Sequence, residues 1–138
     1  MAKVTSTLAA GHTYKVETAA GSFTLVADQP TAVGGSDTGP TPKDFLLAAI
    51  GACTVQTLKM AAPGKKWDLQ TISVEVTYSE VPDPNKPGQK ITQIEERIEV
   101  SGNLSQAELD AIERTAGRCP VLKIVEGPKQ VIKKAVKV

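Results

Sequence analysis

The chain has 138 residues, a formal net charge of +1, 41% hydrophobic residues and 22% charged residues. This length predicts one domain, residues 1–138, with a single core. The near-neutral charge argues against nucleic acid or an anionic membrane as a partner, and the aromatic content of 4% offers no stacking surface for bases.

The N-terminal residues show no apolar core followed by a cleavage site, so no signal peptide is predicted. The strongest apolar run, residues 45–58, is shorter than a bilayer-spanning helix requires. We therefore expect a cytoplasmic, reducing location. Structural disulfides are rare there, and a cysteine pair that oxidises is more often catalytic or sensing.

The first third of the chain predicts an antiparallel meander. Its three strands, residues 4–8, 14–18 and 23–27, are separated by Ala-Ala-Gly turns. A loop at residues 34–40 follows, because its glycines and proline sustain neither a helix nor a strand.

A long helix is predicted next. Thr41 can cap it, Pro42 suits its first position, and Asp44 completes a capping-box pattern. The helix should run to about Ala62, before Pro63. Its middle is apolar on nearly every face, so we expect it to be buried all round. One small sheet can cover only one side, which favours a second copy of the same helix covering the other.

The rest of the chain predicts a strand hairpin, two helices and a closing strand. Their expected bounds are residues 72–78, 91–100, 105–117, 120–125 and 130–138. A capping box at Ser105 and Glu108 starts the first of these helices. The charges at positions 95, 96, 97 and 99 indicate a largely solvated surface on the second strand of the hairpin. The order of elements predicts an α+β fold.

The only two cysteines, Cys53 and Cys119, are the candidate reactive residues. If Pro120 begins a helix, the sulfur of Cys119 caps it and faces unpaired backbone N–H groups, while Arg118 adds a cation. Both effects favour the thiolate. Cys53 lies in aliphatic surroundings within the long helix, which raise the pKa of a thiol. Local sequence therefore favours Cys119 as the reactive thiol, and both cysteines could equally be small core residues.

Other chemical sites have weaker support. Asp44 could act as an acid, a base or an orienting carboxylate, but it lies roughly 13 Å from its own Cys53 along the helix axis. Only a partner subunit's helix could bring such a carboxylate to the thiol, and capping already explains Asp44. His12 has no Cys, His or Asp neighbour at ligand spacing, so a zinc site is not expected. No phosphate-binding loop occurs.

Residues 38–54, which contain Cys53, resemble the first cysteine motif of the OsmC/Ohr family (osmotically inducible protein C and organic hydroperoxide resistance). The segment Arg118-Cys119-Pro120-Val121 resembles the second motif. The order of elements agrees over essentially the whole chain. The resemblance implies an OsmC-like fold in which antiparallel sheets wrap around a long buried central helix, in an intertwined homodimer.

The resemblance also implies a thiol-dependent peroxidase that acts in oxidative-stress defence. Cys53 would attack an organic hydroperoxide and become a sulfenic acid, and Cys119 would condense with it to a disulfide. An external dithiol such as lipoamide would then reduce the disulfide. No metal or organic cofactor is implied.

Two departures from the family pattern stand out. The best-studied peroxidases pair their reactive cysteine with an N-terminal arginine, whereas this chain has no arginine before Arg97. They also carry a glutamate directly after the proline that matches Pro42, where this chain has Lys43. Arg118, or Lys43 from a partner subunit, would have to supply the activating cation. The chain is thus closer to the OsmC-like branch.

The alternative to a peroxidase is a non-catalytic binding protein or redox sensor with a small-molecule pocket at the dimer interface.

Overall fold

The first sheet is an antiparallel meander with its second strand in the middle. Its strands are β1 (Thr5–Leu8), β2 (Val16–Ala20) and β3 (Phe23–Ala27). The computed structural model describes residues 2–138. It confirms the predicted meander, with β2 beginning two residues later than expected. The turn before β2 is wider than Ala-Ala-Gly alone, because the N–H of Ala9 bonds to the carbonyl of Lys15 at 2.8 Å.

Asp28 organises the loop that follows β3. Its buried carboxylate accepts hydrogen bonds from the hydroxyl of Thr38 at 2.6 Å, the N–H of Thr38 at 3.1 Å and the N–H of Gln29 at 2.8 Å. The bond from the Thr38 hydroxyl has the largest effect. Together the hydrogen bonds outweigh the effect of burial, which acts to raise the pKa, and they lower the pKa of Asp28 to about 2. Gly35 is required in this loop, since a Cβ there would lie 1.9 Å from the carbonyl oxygen of Gln29.

The long helix α1 (Pro42–Lys65) begins as predicted and ends later. The predicted cap is present: the N–H of Thr41 donates to Asp44 at 2.9 Å, and the N–H of Asp44 donates to the Thr41 hydroxyl at 3.3 Å. The predicted end near Ala62 is wrong, because Pro63 lies inside the helix. A proline in the last turn removes only one helical hydrogen bond, and the left-handed Lys66, with φ of 56°, terminates the helix instead.

Within a single chain, only one stripe of α1 is buried. The buried positions are Ile50, Gly51, Thr54, Leu58 and Ala62. Met60 lies outside this stripe and is 78% exposed. A single chain thus covers only one side of this helix, as expected, and burial of its other faces by a second copy stays a prediction. By length and composition α1 could also span a membrane, contrary to the expectation from the apolar run. The core helix of a soluble protein meets the same criterion.

The chain divides into two units, residues up to 48 and residues 49–138. The second unit contains most of α1 and an antiparallel hairpin, β4 (Thr71–Pro82) and β5 (Lys90–Ser101). Gly51 allows α1 to approach the hairpin closely, since a Cβ there would lie 3.1 Å from Cγ2 of Val76. The core of this unit consists of Leu58, Ala62, Trp67, Leu69, Ile112 and Ala116.

Two helices follow the hairpin, α2 (Gln106–Ala116) and α3 (Pro120–Glu126). The capping box between Ser105 and Glu108 is confirmed in both directions. The closing strand predicted at residues 130–138 is wrong, because this segment has no strand pairing and Ile132 is 82% exposed. Alternating sequence alone does not make a strand without a neighbour that bonds to its backbone. The α+β class is confirmed.

Candidate active site

The two cysteine side chains meet where the middle of α1 lies beside the start of α3. Both are free thiols; Cys53 is partly buried and Cys119 is 0% exposed. A hydrogen bond links the two side chains, and it acts to lower the pKa of Cys53 and to raise that of Cys119. The fold has therefore placed a potential dithiol pair in direct contact.

Cys119 is the N-cap of α3, as the sequence predicts. Its sulfur accepts a hydrogen bond from the N–H of Leu122 at 3.4 Å. Burial, followed by the contact with Cys53, nevertheless raises the pKa of Cys119 above its ordinary value. Arg118 is exposed to solvent. The local expectation that Cys119 is the readier thiolate is therefore wrong, because desolvation outweighs the backbone donors.

At Cys53, by contrast, hydrogen bonds outweigh desolvation and the pKa is lowered. Burial acts to raise its pKa, but hydrogen bonds from Cys119, from the N–H of Val121 and from the hydroxyl of Thr57 together lower it. Val121 lies in the first turn of α3, so that helix directs a backbone donor at the cysteine of α1 as well as at its own cap. Sequence reasoning missed Val121 and Thr57. Only the spacing of Thr57, one helical turn after Cys53, could have indicated it.

A polar pair, one side chain buried and the other partly buried, lies beside the thiols. Thr54 is 0% exposed, and its hydroxyl donates to Oε1 of Glu96 on β5 at 2.6 Å. Glu96 also acts to raise the pKa of Cys53 through its negative charge. The prediction of a largely solvated surface on this strand is wrong at Glu96. That residue shares the period of two with partly buried Ile94 and Ile98, which is the sequence signal that could have found it.

Glu96 also borders a cavity of about 310 Å³ between β5 and α2. The cavity is lined by Glu96, Ile98, Val100, Leu109, Ile112 and Glu113. Its walls are mostly apolar, with a carboxylate from each of the two elements. It lies in the same unit as the two cysteines.

Asp44 and Lys43 lie in the first unit, at the start of α1. The hydroxyl of Thr41 donates to the carboxylate of Asp44 at 2.8 Å. This bond does most to lower the pKa of Asp44. The N–H of Thr41 and the charge of Lys43 lower it further. These contacts support the capping interpretation of Asp44. Among residues 2–138, no three His, Cys, Asp or Glu side chains are grouped so as to hold a metal ion.

The fold and this site define an α+β protein with a reduced cysteine pair in which one thiol has a lowered pKa. The sequence profile described as OsmC-like protein matches residues 34–133, and the chain belongs to that family. The OsmC/Ohr family acts without a cofactor. Comparison with curated proteins gives no match.

Several solved structures share the fold. An OsmC-like protein from Mycoplasma pneumoniae has a TM-score of 0.74 and 22% identity, covering 92% of this chain and 88% of that chain. An organic hydroperoxide resistance protein OsmC from Legionella pneumophila has a TM-score of 0.66 and 23% identity, covering 92% and 90%. The organic hydroperoxide resistance protein OhrB of Bacillus subtilis has a TM-score of 0.63 and 21% identity, covering 92% and 91%. At these identities the likeness establishes the fold.

Proposed function

We propose that the protein is a thiol-dependent peroxidase that reduces organic hydroperoxides in oxidative-stress defence. Membership of the OsmC-like family supports the role, as do fold relatives named organic hydroperoxide resistance proteins. The observation that carries the proposal is the thiol pair, in which hydrogen bonds lower the pKa of Cys53 while Cys119 stays protonated beside it. An attacking thiolate next to a second thiol is the arrangement that a dithiol-disulfide cycle needs.

In the proposed cycle the Cys53 thiolate attacks the terminal oxygen of the hydroperoxide. The O–O bond breaks, the alkoxide leaves and takes up a proton, and Cys53 becomes a sulfenic acid. The sulfur of Cys119 then attacks Cys53, the S–O bond breaks and water leaves, so that a disulfide forms. An external dithiol such as dihydrolipoamide returns the pair to two thiols by exchange.

We also propose that the active form is a homodimer in the cytoplasm. The face of α1 that carries Ala52 and Met60 is exposed in the single chain, although the helix is rich in apolar residues. A second α1 of the same sequence would remove this face from water. A reducing compartment would supply the dithiol that the cycle consumes.

The test is consumption of dihydrolipoamide driven by cumene hydroperoxide or t-butyl hydroperoxide. The wild type should turn over many times. Cys53→Ser should lose this activity, and Cys119→Ser should form the sulfenic acid but no intramolecular disulfide. Cumyl alcohol in place of the hydroperoxide is the blank. Wild-type rates in Cys53→Ser would refute the assignment.

The charges around Cys53 favour a second candidate, a redox sensor or binding protein that uses the same thiols without rapid turnover. The groups that lower the pKa of Cys53 are neutral donors, and the charged group that acts on it most, Glu96, raises it. A sensor predicts slow, stoichiometric oxidation by the same hydroperoxides. Sustained turnover in the dihydrolipoamide assay excludes this candidate.

A further inference from the structure

The Thr54 hydroxyl connects the buried thiol to a carboxylate. It donates to Oε1 of Glu96 at 2.6 Å. A hydrogen-bonding interaction with the Thr54 side chain also acts to lower the pKa of Cys119. Thr54 and Cys119 are both 0% exposed, so bulk water does not reach either side chain in the chain as described. Thr54 therefore interacts with both the thiol of Cys119 and the carboxylate of Glu96.

Disulfide formation needs a group that accepts a proton from Cys119. The thiolate is the form that attacks, whereas burial and the neighbouring Cys53 keep the pKa of Cys119 raised and its proton in place. Arg118 adjoins Cys119 in sequence, but its side chain is exposed. Leu122 offers only a backbone N–H, which can stabilise a thiolate but cannot take up a proton.

We propose that Glu96 accepts the proton of Cys119 through the Thr54 hydroxyl during disulfide formation. The inference rests on the proposed peroxidase function for its oxidant. As the Cys119 proton passes to the Thr54 oxygen, the Thr54 proton passes to the carboxylate. The sulfur of Cys119 then forms a bond to the sulfur of Cys53, and the S–O bond of the sulfenic acid breaks. The departing hydroxide takes up a proton from solvent and leaves as water, and Glu96 afterwards releases its proton to solvent.

Glu96 should have opposite effects on the two half-reactions. Its charge raises the pKa of Cys53 and so opposes formation of the attacking thiolate. In the second half-reaction the same carboxylate is the proton acceptor. A residue with a purely structural role would slow both half-reactions together, so this split identifies the relay.

The experiment compares wild type with Glu96→Gln and Thr54→Val after one equivalent of cumene hydroperoxide. Both variants should close the disulfide more slowly, by on the order of 10²-fold, the usual contribution of a general base. The sulfenic acid should accumulate and be trapped by dimedone, as read by mass spectrometry. Alkylation of Cys53 at pH 7 should be as fast in Glu96→Gln as in wild type, or faster. Unchanged closure rates in both variants would overturn the proposal.

Two matched variants separate the relay from a packing effect. Thr54→Ser keeps the hydroxyl and should close the disulfide at the wild-type rate. Glu113→Gln removes a carboxylate from the same cavity, from α2 rather than β5, and should also match wild type. Slow closure in either control would overturn the relay. Circular dichroism reports folding, and if Glu96→Gln does not fold, the comparison of Thr54→Val with Thr54→Ser decides the question.

A second oxidant separates this inference from the peroxidase function. Diamide adds to the Cys53 thiolate, and attack by Cys119 then releases the hydrazine, so closure needs the same proton acceptor. If wild type closes with diamide but does not react with hydroperoxide, the proposed function fails while the relay is still tested. Slow diamide-driven closure in Glu96→Gln and Thr54→Val supports the relay, and closure at the wild-type rate overturns it.

Discussion

The middle of α1 and the start of α3 place their cysteines in contact but in opposite electrostatic settings. Cys53 is partly exposed and receives three hydrogen bonds, so its pKa is lowered. Cys119 occupies a helix N-cap, a position that favours thiolates, yet it is fully buried and its pKa is raised. An N-cap therefore supplies hydrogen-bond donors without deciding whether the thiol ionises. The balance between those donors and desolvation decides it.

The largest expected effect is the difference in reactivity between the two thiols. At pH 7, iodoacetamide should modify Cys53 on the order of tenfold or more faster than Cys119, because Cys53 is partly exposed with a lowered pKa, whereas Cys119 is fully buried with a raised pKa. The pKa of Cys53 lies below 9.0 and that of Cys119 above it. The rate at Cys53 should therefore level off below pH 9, while the rate at Cys119 still rises. Peptide mass spectrometry measures both profiles, and earlier labelling of Cys119 would reverse the assignment.

The next effect concerns the hydrogen bond between the two side chains. Cys119→Ala removes the donor that does most to lower the pKa of Cys53, whereas Cys119→Ser keeps a donor at that position. Alkylation of Cys53 at pH 7 should slow by about fivefold in Cys119→Ala, which corresponds to a hydrogen bond of about 1 kcal/mol. Cys119→Ser should stay close to wild type. Equal rates in the two variants would show that the contact does not activate Cys53.

Local features of the fold could be predicted from sequence because their partners lie within a few residues. The caps at Thr41 and Ser105 each join residues three positions apart, and both form as expected. The end of α1 and the segment 130–138 could not be predicted in this way. The end of α1 depends on a left-handed residue after Pro63, and a strand at 130–138 would need a pairing partner that residues 2–138 do not provide.

The candidate site was less accessible to sequence reasoning because its contacts are long-range. Local context favoured Cys119, and only the family resemblance pointed to Cys53 as the attacking thiol. Glu96 lies 42 positions from Thr54, and the charged residues around it predict a solvated strand surface. Glu96 has the same alternation as the apolar residues of β5, which the sequence shows. Nothing in the sequence, however, indicates that this face of β5 lies beside the cysteines.

The smallest expected effect tests the donor that belongs to α1 itself. Thr57 lies four residues after Cys53, and its hydroxyl lowers the pKa of Cys53 less than Cys119 and the N–H of Val121 do. Thr57→Val should slow alkylation of Cys53 at pH 7 by about twofold, the lower end of the range for one hydrogen bond. Thr57→Ser retains the hydroxyl and serves as the matched control. An effect of Thr57→Val larger than that of Cys119→Ala would mean that α1 activates its own cysteine, and that Cys119 acts on Cys53 mainly after oxidation.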